Sequence, residues 1–202
     1  MKLTTTTQVS VDGVMQGNGA SAYDVGLGFE RAGWATPHLT AEGGAYIARI
    51  IERADAFLFG RNTFDIFAPY WPTIEPGVTP IADAFNTRPK YLVTSRPDVP
   101  DWDGTTVLSG DVLEAVRELK AEPGGELQVH GSGALVRSLL EADLVDELTL
   151  VVVPVVVGGG ARLFPETGVD VALELTESKV FPSGVAALTY RTAGRPTYGP
   201  AS

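Results

Sequence analysis

The sequence predicts an α/β domain built on a mainly parallel central sheet, with helices on both faces and an antiparallel C-terminal hairpin. Three observations carry this reading. Short apolar runs alternate with segments whose apolar residues fall at helical spacing, the pattern of successive strand–helix units. One run, Leu148 to Val157, is apolar almost throughout, as a strand buried on both faces requires. The last two runs, Val171 to Val180 and Val185 to Thr192, meet across Pro182-Ser183-Gly184 with no helical segment between them.

Taken in order, Leu3 to Val11 reads as the first strand, and the polar, Gly-rich stretch from Gly13 to Gly28 is expected to be irregular. Tyr46, Ile47, Ile50 and Ile51 mark one face of a helix, Ala56 to Phe59 a strand ending at Gly60, and a second helix opens near Asn62. Pro80 to Asn86 adds a helical turn, and Tyr91 to Thr94 and Thr105 to Leu108 read as strands. Asp111 with Glu114 three residues on forms a capping box ahead of a helix whose buried face is Val112, Leu113, Val116 and Leu119. Leu127 to His130 is a strand, and Leu135, Val136, Leu139 and Leu140 are the stripe of the helix after it. Pro154 has no N–H for a ladder, so it marks a bulge or the point where pairing lapses. Residues 1–193 form a single domain in this reading, and the Gly- and Pro-rich segment 194–202 is expected to be a flexible tail.

Composition narrows the chemistry. With 15 basic and 25 acidic residues the net charge is −10, which argues against a nucleic-acid partner. Zero cysteines exclude disulfides, thiolate nucleophiles and Cys-rich zinc sites, and 2 histidines are too few for an imidazole metal cage, so no metal site is expected. The chemistry must then rest on carboxylates, hydroxyls or an imported cofactor. The N-terminal Met1 to Thr7 has no apolar core of a secretory signal, and Leu148 to Val157 is too short to span a bilayer, so a cytoplasmic location and no membrane contact are expected.

Ligands of open α/β sheets bind beyond the carboxyl ends of the strands. Here those ends read Ser10-Val11-Asp12-Gly13, Gly60-Arg61-Asn62-Thr63, Thr94-Ser95-Arg96 and His130-Gly131-Ser132-Gly133. Glycines admit a phosphate close to the backbone, helix N-termini present free N–H groups, and arginines supply planar forks for phosphate oxygens. Together they predict an anionic, nucleotide-like ligand. Each feature also has a plainer reading: a tight turn at Gly131 to Gly133, surface arginines at 61 and 96, a helix cap at Thr63, and a packed strand-end histidine at 130. Val136 stands where a dinucleotide fingerprint has its third glycine, and no Lys-Ser/Thr follows the glycines, which excludes a Walker loop. Gly158-Gly159-Gly160 reads as a strand-ending bend or as a place where another group approaches the backbone closely.

These segments, together with Pro154 to Pro165, resemble the dihydrofolate reductase superfamily, and most closely stand-alone homologues of the reductase domain of the bifunctional riboflavin-biosynthesis deaminase/reductase. The resemblance runs in order from about Leu3 to Thr192; Gly-Arg-x-Thr and Pro-x-x-x-Gly-Gly-Gly are its most specific parts. It implies a three-layer α/β/α dihydrofolate reductase-like fold, NADPH as cofactor, a small-molecule substrate and a homodimer. By position it implies that Gly60, Arg61 and Thr63 hold cofactor phosphates, with Arg61 near the 2′-phosphate. Thr94, Ser95 and Arg96 would flank the adenosine ribose, and Gly131, Ser132 and Gly133 would cradle the pyrophosphate. Asp12 would face the nicotinamide and substrate, with Gly158 and Gly159 closing the cleft.

The expected activity is hydride transfer from NADPH to a small polar heterocycle or carbonyl compound, of the 5-amino-6-(5-phosphoribosylamino)uracil reductase type. Alternatives are a non-catalytic NADP(H)-binding dimer, a reductase acting on a pterin, and a flavin-using reductase. Asp12 is the candidate to orient substrate or relay a proton, its plainer reading being the turn residue of Asp-Gly. Glu30 and Asp24 are secondary candidates, and Trp34 and Phe29 are expected on the substrate side. Phe29 to Pro37 stands where dihydrofolate reductases carry Leu-Pro-Trp, which argues against folate, and the missing cysteines exclude deamination.

Overall fold

The computed structural model describes residues 1–19 and 29–199. An eight-stranded sheet runs in the order β4-β3-β2-β5-β1-β6-β8-β7. Its strands are β1 Lys2–Ser10, β2 Ala54–Gly60, β3 Lys90–Val93, β4 Thr105–Leu108, β5 Glu126–His130, β6 Glu147–Val153, β7 Leu173–Val180 and β8 Ala186–Thr192. The six from β4 to β6 pair in parallel, and β8 is antiparallel to both of its neighbours. The helices are α1 Ala41–Glu52, α2 Arg61–Phe67, α3 Pro80–Thr87, α4 Val112–Ala121 and α5 Gly133–Glu141. This is the expected three-layer α/β/α arrangement, with helical crossovers between the parallel strands except β3 and β4, which the non-helical residues 94–104 join, and the C-terminal hairpin closing one end.

Strand alternation decides what each face buries. Leu58, Leu127 and Val129 pack with Val116, Leu119, Val136 and Leu139 of α4 and α5, whereas Phe57 and Phe59 turn to the other face and meet Phe64, Phe85 and Trp102. A third cluster sets Tyr46 and Ile50 of α1 on Val151, Val153 and Ala187. Each fully buried side chain of this size stabilises by roughly 1.5–3 kcal/mol. Lys90, also fully buried, donates to the carbonyls of Phe85 (2.8 Å) and Arg88 (2.9 Å) at the end of α3. Burial lowers its pKa to about 8.

One local expectation changes and one is met. Asp111 does accept from the Glu114 amide at 3.0 Å, but the Glu114 carboxylate turns to Arg117 at 3.1 Å, so only one arm of the capping box forms. The apolar run from Leu148 leaves the ladder after Val153, because Pro154 brings no donor. In the tail, Arg195 and Tyr198 both bond to Asp170, each at 2.6 Å. Among the described residues no helix is long and apolar enough to cross a membrane.

Thr5 and Thr7 of β1 lie in register with Leu3 and Val9, toward α4 and α5, and each is 1% exposed. Their hydroxyls have no hydrogen-bond partner among the described residues. An unpaired buried hydroxyl costs about 1–3 kcal/mol, and valine keeps the shape without it. Thr5→Val and Thr7→Val are each expected to raise the unfolding free energy by about 1 kcal/mol, read as a higher urea midpoint at constant m. An unchanged or lower midpoint would show that the hydroxyls are bonded.

Candidate active site

The C-terminal ends of β2 and β5 lie side by side, and one side chain joins them. Ser132, in the left-handed region at φ 49°, accepts from the Gly60 amide at 3.0 Å and donates to the His130 carbonyl at 3.1 Å. Its own amide donates to the Thr63 hydroxyl at 2.9 Å. Gly131, at φ 59°, sits in a backbone region that strains other residues, and a Cβ there would press within 3.1 Å of that same hydroxyl. Thr63 and Ser132 therefore staple the two strand–helix junctions together, and their polar groups are engaged. What remains for an anion are the amides of the first turn of α5, from Gly133 on, which have no intrahelical partners. A Cβ on Gly133 would collide with the Met15 sulfur, so this turn approaches the chain after β1 closely.

Asp12 has a different task from the one expected. Its carboxylate accepts from the Ser10 hydroxyl at 2.6 Å and from the amides of Val157 (2.9 Å) and Gly158 (2.8 Å). The Ser10 hydroxyl first, then the two amides, pull its pKa to about 2. An acid so placed carries no proton near neutrality. The carboxylate is a clamp that ties the segment after β6 to the end of β1. The Gln16 side chain, accepting from Ala161 at 2.9 Å, and Arg162, donating to the Asp12 carbonyl at 2.9 Å, reinforce the same seam.

At the ends of β3 and β4 opens a cleft of about 420 Å3. Arg61, Thr94, Ser95, Arg96 and Ser109 give it polar walls, and Val93, Leu108 and Val112 an apolar one. The two arginines are not equivalent. Arg61, its side chain 10% exposed, gives Nε to Asp65 at 2.6 Å and its terminal nitrogens to Asp98, including the carbonyl at 2.6 Å. Asp65, the larger influence, and Asp98 raise its pKa and hold it charged. Arg96 is 51% exposed and touches Asp65 at 3.4 Å. The basic pair read from the sequence is thus matched by two acids, and Arg61 supports the wall while Arg96 faces the space.

Trp34, expected beside the substrate, instead donates Nε1 to the Gln16 carbonyl at 2.8 Å and packs on the α1 cluster. Phe29 lies against Gly17 and Gly160, where a Cβ at either position would strike its ring. Arg31 stands over Gly158 and Gly159 and donates to the Val157 carbonyl. Glu30 is exposed, and Asp24 lies outside the described residues. His130 is buried, bonded through Nε2 to Gln128 at 3.0 Å, and desolvation lowers its pKa to about 4, which keeps it neutral. Sequence reasoning missed Asp65, Asp98, Met15 and Arg31. For Asp65 alone there was a signal, its i,i+4 spacing from Arg61.

A mainly parallel sheet ending in an antiparallel hairpin, with a cleft at its strand ends, is the arrangement of the dihydrofolate reductase fold. The chain belongs to the RibD C-terminal domain family, whose sequence model matches residues 1–187. It is 28% identical over 146 residues to the uncharacterized protein YyaP of Bacillus subtilis (strain 168), covering 71% of this chain and 77% of that one. A riboflavin-biosynthesis-type protein of Shewanella sp. PV-4 superposes with a TM-score of 0.68 at 21% identity, covering 96% of this chain and 99% of the other. The dihydrofolate reductase of Enterococcus faecalis, solved with NADP(H), superposes with a TM-score of 0.60 at 16% identity, covering 95% and 96%.

The clamp generates an acid-stability prediction. Because the folded pKa of Asp12 lies at about 2, below the ordinary 3.8, its contribution is complete above about pH 4 and is lost as pH falls toward 2. Asp12→Asn is expected to lower stability at pH 7, to flatten the fall in stability between pH 4 and 2, and to speed amide exchange at Val157 and Gly158. Wild-type exchange rates at these two amides in the variant would remove the clamp.

Proposed function

We propose that the protein is an NADPH-dependent reductase acting on a small polar heterocyclic or carbonyl substrate, of the 5-amino-6-(5-phosphoribosylamino)uracil reductase type. The observation that carries this reading is the row of ligand-competent strand ends. The cleft beyond β3 and β4, the stapled junctions of β2 and β5, and the clamped seam of β1 and β6 are neighbours across the sheet. At about 4.8 Å per strand, β3 to β6 span about 19 Å, a length suited to an extended dinucleotide. Arg96, Ser95 and Thr94 would hold the adenosine end and its 2′-phosphate, and the first turn of α5 the pyrophosphate. When bound there, the cofactor supplies the hydride.

The protein's own part is orientation. Asp12 fixes Val157 and Gly158, and over Gly158 and Gly159 Arg31 supplies a cation for a polar substrate. Neither Asp12 nor neutral His130 holds a proton to donate near neutrality. Any proton delivered comes from solvent or substrate in this reading. Arg96→Ala is expected to raise the Kd for NADPH about tenfold and to leave NADH within twofold, whereas Arg61→Ala lowers the melting temperature and weakens both. Consumption of NADPH by the wild type across a panel of pyrimidine and carbonyl substrates tests turnover. Absence of NADPH binding would overturn the reading.

The homodimer is proposed at the C-terminal end of the sheet. In β6, β7 and β8 the charged residues Glu147, Glu174, Glu177, Lys179 and Arg191 fall in register on one face. The opposite face, with Leu150, Leu188, Tyr190, Leu175 and Val180, carries no charge, and Leu175 and Val180 are 52% and 72% exposed. A second copy fits it. Two chains at −10 repel unless they meet where neither is charged, and a flat sheet face packs on its own copy about a two-fold axis. Light scattering is expected to give two chains for the wild type and one for Leu175→Glu combined with Val180→Glu. A wild type that stays monomeric at tens of micromolar would overturn the proposal.

A further inference from the structure

We propose that Asp65 sets how strongly the cleft distinguishes a cofactor bearing a phosphate from one bearing a hydroxyl at the same place. The proposal rests on the reading that the adenosine end of the cofactor lies beyond β3 and β4. Asp65 belongs to neither the cleft lining nor the set of residues expected to bind, yet its carboxylate touches both arginines of the cleft. One oxygen takes Arg61 Nε at 2.6 Å, and the other faces an Arg96 terminal nitrogen at 3.4 Å.

The two contacts do different work. The Arg61 contact is short and its partner nearly buried, with the remaining donors on Asp98, so it behaves as a fixed part of the wall. The Arg96 contact is long, and its partner is half exposed. A phosphate in the cleft therefore takes Arg96 in competition with a carboxylate that already attracts it. An uncharged hydroxyl in the same place does not draw Arg96 from that carboxylate. Asp65 acts on one cofactor and leaves the other alone, which is the definition of a specificity determinant, and it does so as a positioning residue through Arg96. Asp98 does not fill this role. It is 73% exposed, and its contacts are to Arg61, the shortest through its backbone carbonyl at 2.6 Å.

The test is titration of the intact protein with NADPH and NADH, followed by tryptophan fluorescence. Asp65→Asn keeps an oxygen for Arg61 Nε and removes the charge. It is expected to lower the Kd for NADPH about fivefold, to leave NADH within twofold, and to steepen the salt dependence of NADPH binding. Asp98→Asn is expected to change the NADPH/NADH ratio by less than twofold. In an Arg96→Ala background the effect of Asp65→Asn should vanish. A ratio that does not move, Kd values that shift in parallel, or an effect that persists without Arg96 would each overturn the role of Asp65 while the reductase reading stands. A wild type that binds neither cofactor would overturn both. Melting temperatures of all variants within a few degrees of the wild type establish that folded proteins are being compared.

Discussion

The arrangement of the site depends on the bond between Thr63 and Ser132. Parallel strands β2 and β5 pair only along their backbones, and beyond their last residues nothing in a ladder dictates how the two following helices sit. The Ser132 amide on the Thr63 hydroxyl, with Gly60 on the Ser132 side chain, supplies that instruction at 2.9 and 3.0 Å. Holding a serine at φ 49° costs about 1–3 kcal/mol, and three hydrogen bonds on one residue offset it. From this staple follow the direction of α5, the exposure of its first-turn amides, and the placing of Arg61 at the edge of the cleft.

The same logic is repeated one strand over. Asp12 spends its carboxylate on three donors and thereby converts the glycine run after β6 from a loose bend into a defined surface. Side chains that chemistry could have used, namely a carboxylate, two hydroxyls and a guanidinium, are consumed in holding backbone. The surfaces left over are amides, glycines, the cleft hydroxyls of Ser95 and Ser109, the half-exposed Arg96, and Arg31 over the glycine run. In the proposed reading such a site would bind and orient a reactive molecule and perform little chemistry of its own, in keeping with a chain that has no cysteine and whose His130 stays neutral.

Much of this was legible in the residues. Period alone located every strand to within about two residues at most ends, and Pro154 announced where β6 leaves the sheet. Glycines and hydroxyls at strand ends pointed to the end of the sheet where the cleft opens. What could not be read was pairing. Asp98 reaches Arg61 from 37 residues away, and the amides of Val157 and Gly158 reach Asp12 from more than a hundred; no local pattern encodes either. Trp34 was misplaced for a related reason, since an aromatic after a Gly-rich loop looks the same whether it floors a pocket or anchors the loop to a core. The capping box at Asp111 kept one arm because Glu114 had a nearby arginine to prefer.

Pairing also reverses an electrostatic inference drawn from composition. Against a net charge of −10, two arginines at neighbouring strand ends suggest a concentrated positive patch. Asp65 and Asp98 cancel it in formal charge, and what survives is geometry: one arginine fixed, one able to move. In the proposed reading, a cleft of this kind would attract anions weakly at a distance and recognise them by close contact. Affinity for a phosphate would then reflect the difference between two short-range contacts, Arg96 with the ligand and Arg96 with Asp65, against the unfavourable long-range field of a chain at −10, and such differences change size with a single residue.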